Sequence, residues 1–319
     1  MNCTATTAAA TADLALLSSA ASVSAARELK LSSRSSPLVK FAAKRLTVSC
    51  AAASSPPHLG RRGLMYLAAT SFLIPLPKQA AIAAADEKSL LQEEIRKVMT
   101  KNKAPGFLRL VFHDAGTFDE GDKTGGMNGS IVYELDRPEN AGLQKTVKIL
   151  EKVKEELESV RPVSWADLIA VAGAEAVLIC GGPEIPVRLG RIDATVPDPT
   201  GRLPEETLDA KNMKKSFQNK GFSAQELVAL SGAHTIGGKG FGSPVVFDNS
   251  YYKILAKKSG SSSGGMSSMV GLPSDKALAA DDECYGWISK YAEDQNLFFE
   301  DFKKVYTKLV DTGANWSSA

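Results

Sequence analysis

The stretch APGFLRLVFHDAGTFD (104–119) decides how this chain is read. It places Arg109 and His113 four residues apart, so a helix through it carries both on one face. His113 is one of only three histidines in 319 residues. A second, His234, sits in ELVALSGAHTIGG (226–238). The third, His58, falls in an N-terminal stretch of different composition. Two histidines in separate motifs suit separate tasks. One neutral imidazole nitrogen can ligate a metal, while the other ring can move a proton.

Outward from these motifs the chain reads as mainly helical. Residues 88–100 set Leu90, Leu91, Ile95, Val98 and Met99 on one face. Residues 143–159 do the same with Leu143, Val147, Leu150, Val153 and Leu157. Ser164 and Asp167 form a weak capping box before the apolar run 168–179, which predicts a buried helix. Ser223 and Glu226 form a better one, opening a helix expected to carry His234. Residues 297–310 predict a last amphipathic helix, with Phe298, Phe302, Val305, Tyr306 and Leu309 inward. Between 181 and 210, Pro183, Pro186, Pro197, Pro199 and Pro204 forbid continuous helix. A long connection of this kind is functional or disordered. The run SGSSSGGMSS (259–268) reads as a flexible surface loop.

Residues 1–85 read as a leader. They hold 9 Lys/Arg against 2 acidic residues, a charge of +7, and are rich in Ala and Ser. An acid-poor, Ser-rich, basic segment is the pattern of an organelle transit peptide. A second signal follows: Arg61-Arg62, the uncharged run 63–76, then AAIAAA (80–85). Twin arginine, short apolar core and A-x-A site make a bacterial-type export signal. Its apolar core is shorter than the roughly 20 residues that span a bilayer. Two addresses in series predict passage into the chloroplast and on into the thylakoid lumen. The expected division is therefore a bipartite leader (1–85) and one folded domain (86–319). That domain carries 29 basic and 34 acidic residues, a charge of −5, and no basic run, so nucleic acid is not expected as a partner. Its two cysteines, Cys180 and Cys284, could form one disulfide or none.

Several separated strings then point together. Besides 104–119 and 226–238 they are GGMNGSI (125–131), ENAGL (139–143), SWADLIAVAGAEAV (164–177), GGPEIPVRLGRID (181–193), GRLPEET (201–207), FDNSYY (247–252) and GLPSDKAL (271–278). In this order, from about 88 to 312, the chain resembles the haem peroxidases of plants, fungi and bacteria. Within them it is most similar to those of ascorbate-peroxidase type, including thylakoid-lumen members. The resemblance implies an all-α fold, two helical lobes enclosing a pocket for haem b. It implies hydrogen peroxide and a small reductant as substrates, and a role in oxidative-stress defence. It puts Arg109, His113 and Asn140 on the peroxide side, with Asn140 accepting from His113. It makes His234 the axial iron ligand and Asp275 the acceptor for its other ring nitrogen, a partner that strengthens the imidazole as a donor.

The sequence also departs from that family. Phe112 stands where ascorbate peroxidases have Trp. Only GKGFGSPVV (238–246) separates HTIG from FDNSYY, where the family has a longer segment with a Trp, an ascorbate-binding Arg and cation ligands. Phe241 is expected to fill part of the missing indole's space. Thr235 and Asp248 match two cation ligands, but without the rest no bound potassium or calcium is expected. Lys101 matches a lysine near the substrate edge, although a lysine in KNK also suits a plain solvated surface. Two functions compete. One is an active peroxidase with a degenerate ascorbate site. The other is a peroxidase-fold protein without turnover, acting as a lumenal binding or structural partner near photosystem II or the thylakoid membrane. A hydrolase is disfavoured, since no Gly-x-Ser-x-Gly elbow accompanies the histidines.

Overall fold

The computed structural model describes residues 78–258 and 270–317. Most of the leader, its twin arginine included, and the Ser/Gly run 259–268 lie outside the described residues. Ten α-helices follow in order: α1 (Lys78–Val98), α2 (Ala104–Ala115), α3 (Gln144–Glu158), α4 (Trp165–Ile179), α5 (Ala210–Gln218), α6 (Ala224–Ser231), α7 (Ser250–Lys258), α8 (Pro273–Ala280), α9 (Asp282–Glu293) and α10 (Gln295–Asp311). Among the described residues there is no strand, only two isolated bridges. The boundary expected at 85/86 falls inside α1. No described helix is long and apolar enough to cross a membrane.

The helix-forming patterns bury as their spacing demands. Leu91, Ile95 and Met99 of α1, Val147, Leu150, Val153 and Leu157 of α3, and Phe298, Phe302, Val305, Tyr306 and Leu309 of α10 are all buried. Ser164 caps α4 by accepting from the Asp167 amide at 3.1 Å, and twelve of that helix's fifteen residues are buried. The Ser223–Glu226 capping box opens α6 in both directions, at 3.2 and 2.8 Å. Helices α1 to α4 pack on one another, α5 to α9 form a second group, and α10 lies against both α2 and α6. A Cβ at Gly173 of α4 would collide with Tyr306 and Val111, so glycine there lets α2, α4 and α10 close up.

Residues 181–209 form no regular element, as the prolines require. The connection is nevertheless anchored. Arg191 is 3% exposed and donates to Asp167 at 2.8 Å, to the Val310 carbonyl at 2.8 Å and to Asp311 at 2.8 Å. Its guanidinium also lies 4.6 Å from the centre of the Trp316 ring. One buried cation thus ties the connection to α4 and to both the end and the sequel of α10. Cys180 and Cys284 are free and buried.

Candidate active site

Between the two groups of helices lies a cavity of about 530 Å³, within the range of roughly 300–1,000 Å³ typical of small-molecule and cofactor sites. Arg109, Phe112 and His113 of α2 line one side, and His234 and Asp275 reach it from the other. Leu108, Val111, Leu227, Leu230, Phe302 and Leu309 supply apolar wall.

His113 stands in the last turn of α2. Its Nδ1 lies 2.7 Å from Asn140 Oδ1. The Asn140 amide donates through Nδ2 to the Glu134 carbonyl at 2.9 Å, so its oxygen is the end turned to histidine. Nδ1 of His113 therefore holds the proton, and Nε2 keeps its lone pair. Burial holds His113 down to about pKa 4, with Arg109 lowering it further and Asn140 opposing. Arg109 donates to the carbonyls of Ala141 at 2.9 Å and Glu139 at 2.7 Å, which spends two of its five N–H groups. Its ordinary pKa is lowered by burial, and Glu206 pulls the other way. Phe112 stacks on Phe217 at 6.0 Å and meets the His113 ring edge-on at 6.4 Å.

The support beneath Asn140 was not legible in the sequence. Glu134 accepts from Arg137 at 2.6 Å and from the Asp198 amide at 2.8 Å. Asp198 in turn accepts from Thr117 at 2.6 Å and Asn128 at 3.0 Å. Asp114, next to His113, accepts from the Gly129 and Ile131 amides at 2.8 and 3.1 Å. This buried polar knot fixes the loop that presents Asn140.

On the opposite wall the α6 helix ends at Ser231, and His234 sits on the 3-10 turn Gly232–Thr235 that follows. The expectation that α6 itself carries His234 is corrected by one turn. A Cβ at Gly232 would strike Tyr252 and Phe298, so the chain passes close to the core there. His234 Nδ1 lies 2.8 Å from Asp275 Oδ1, leaving Nε2 available as a ligand. Asp275 is 1% exposed and also accepts from the Leu272 amide at 2.7 Å, closing the first turn of α8. The capping role and the histidine-orienting role thus coexist in one carboxylate. Burial acts to raise the Asp275 pKa, but the His234, Leu272 and Tyr251 hydrogen bonds prevail and hold it below its ordinary value.

Tyr251 is the residue that sequence reasoning missed. It is fully buried, and its hydroxyl donates to Asp275 Oδ1 at 2.9 Å, the same oxygen that faces His234. Its ring meets the imidazole edge-on with centroids 6.0 Å apart. Burial and the Asp275 charge push its pKa well above 10, so it stays a donor. The signal was present in FDNSYY, which matched as a string without a role. Phe241, expected to fill part of the missing indole's space, is buried and meets the Tyr251 ring edge-on with centroids 4.7 Å apart; neither ring is part of the cavity lining. Thr235 donates to Asp248 at 2.9 Å, so these two do meet. Lys101 is exposed and lies outside the cavity lining, on the surface within electrostatic reach of Cys180.

An all-α molecule with facing histidines, one tied to an amide and one to a carboxylate, defines a haem-peroxidase type of site. The family comparison agrees: residues 88–294 match the model described as "Peroxidase". The chain is 60% identical over 259 residues to "Putative L-ascorbate peroxidase 6" of Arabidopsis thaliana, covering 81% of this chain and 78% of that protein. It is 37% identical over 255 residues to "L-ascorbate peroxidase 1, cytosolic" of Oryza sativa subsp. indica, covering 75% of this chain and 98% of that protein. It is 38% identical over 242 residues to "Putative heme-binding peroxidase" of Pyricularia oryzae, covering 66% of this chain and 79% of that protein. The chain belongs to the peroxidase family, among the ascorbate-peroxidase-like haem peroxidases.

Proposed function

We propose that this peroxidase binds haem b through His234 Nε2 and reduces hydrogen peroxide at the face lined by Arg109 and His113. The observation that carries the reading is the pair of tautomers. Each imidazole has its Nδ1 engaged, by Asn140 or by Asp275, and its Nε2 left for the cavity. The fit to haem rests on the cavity's size, its apolar walls and the carboxylate-backed imidazole. Haem held there by His234 would supply the redox chemistry of O–O cleavage, with the small reductant as the final source of electrons.

The protein's own groups handle protons and charge. His113 is neutral at pH 7, so its Nε2 takes a proton from one peroxide oxygen and returns it to the departing one as water. Asn140 holds the ring in the required tautomer. Arg109 places a fixed positive charge where negative charge develops as the bond breaks. Asp275 makes His234 a strong donor, and Tyr251 tempers it by sharing Oδ1.

The segment 238–246 contains one cation, Lys239, and neither Trp nor Arg. Recognising the ascorbate anion favours a bidentate Arg. We infer that ascorbate is used less well than by relatives with the longer segment, and that small phenols compete with it. For location, the two leader signals support the thylakoid lumen, although relatives such as the rice protein carry the name cytosolic. The family membership speaks for turnover rather than for a purely structural partner. Steady-state oxidation of ascorbate and of phenolic donors, with peroxide and added hemin, tests the proposal. Peroxide-dependent turnover with phenols exceeding ascorbate is the expected result. Its absence with every donor overturns the enzymatic reading.

A further inference from the structure

Glu206 and Lys239 line the same cavity as Arg109 and His113 but take no part in the chemistry above. They come from different segments of the chain. Glu206 belongs to the proline-rich connection and Lys239 to the segment after His234. Both backbones are pinned: the Ser274 amide donates to the Glu206 carbonyl at 3.1 Å, and the Gly271 amide donates to the Lys239 carbonyl at 2.8 Å. Their side chains meet at the mouth, Nζ to Oε1 3.7 Å, with 42% and 67% of the side chains exposed. The Glu206 carboxylate lies within electrostatic reach of both Arg109 and His113. Glu205 lines the cavity as well.

An anion entering this mouth meets an unfavourable arrangement. Lys239 is paired with Glu206, and Arg109 is held by two backbone carbonyls. Two carboxylates, Glu205 and Glu206, stand on the approach. A neutral donor escapes that repulsion, and a cationic one is attracted. We propose that Glu206 is a charge gate at the cavity mouth, selecting phenolic donors with neutral or cationic tails over anionic ones, with Lys239 partly relieving the selection. This rests on the peroxidase reading for its substrates and not for its geometry. Because both side chains are largely solvated, the effect is screened by salt.

Three probes share one phenol head and differ in tail charge: tyramine (cation), 4-methylphenol (neutral) and 3-(4-hydroxyphenyl)propionate (anion). Dissociation constants are measured by saturation-transfer NMR, and kcat/KM with peroxide on the hemin-loaded protein. Wild type should favour tyramine over the propionate by about tenfold at low salt, with 4-methylphenol as the reference. Glu206→Gln should shrink that ratio about threefold to tenfold, and Lys239→Gln should widen it. Salt on the order of 1 M, where the Debye length is about 3 Å, should close the gap. A ratio that Glu206→Gln leaves unchanged, or a wild type preferring the anion, overturns the gate. Charge-ordered binding without turnover of any donor upholds the gate and sinks the peroxidase reading instead.

Discussion

His113 and His234 differ chiefly in what holds their Nδ1: a neutral amide oxygen for one, a buried carboxylate for the other. The neutral partner leaves His113 a modest base, while the charged one makes His234 a strong ligand. Replacing His113 with Ala should therefore spare haem binding yet slow the reaction with peroxide by about 10²- to 10⁴-fold, measured by stopped flow. The pH dependence has a definite sign. His113 must be unprotonated to accept the peroxide proton, and its pKa lies at about 4. The rate should be flat from neutral pH to about 5 and fall as pH drops through 4; a fall centred near 6.5 would mean that burial does not control this ring. Tyr251→Phe removes one donor from Asp275 Oδ1, which concentrates negative charge against His234. The haem reduction potential should become more negative in spectroelectrochemistry, with the Soret band retained. An unchanged potential would reduce Tyr251 to packing.

At the scale of elements, the anchoring of the proline-rich connection carries the most stability on one side chain. Arg191→Ala leaves Asp167 buried without its cation and removes the guanidinium's bonds to Val310 and Asp311 at the end of α10. Loss of about 3–5 kcal/mol in denaturant unfolding is expected, as for other buried pairs broken from one side. A loss under about 1 kcal/mol would show the pair to be dispensable. The helices themselves were readable because their faces repeat locally, as with Leu91, Ile95 and Met99, or are capped locally, as at Ser164 and Ser223. What was not readable depends on distant segments meeting. The sequence marks where α6 starts but not that it tightens into a 3-10 turn before His234, because Tyr252 and Phe298 set that path. The Glu134–Asp198 knot behind Asn140 and the Tyr251 hydroxyl on Asp275 join residues 64 and 24 apart in the chain.

For the whole molecule, the helical fold and the order of its motifs were legible from end to end, while the leader lies outside what the structure describes up to residue 77. We expect N-terminal sequencing of protein recovered from thylakoid lumen to begin within 80–86, after an A-x-A site. A mature protein retaining Arg61-Arg62 would contradict that address. The central claim is that one cavity sets a haem ligand against a proton-transfer histidine. Hemin titration followed by Soret absorption, on wild type, His234→Ala and His113→Ala in parallel, tests it most directly. The account predicts saturable haem binding in wild type and His113→Ala, with binding lost or converted to a foreign ligand set in His234→Ala. Identical spectra from wild type and His234→Ala would contradict it.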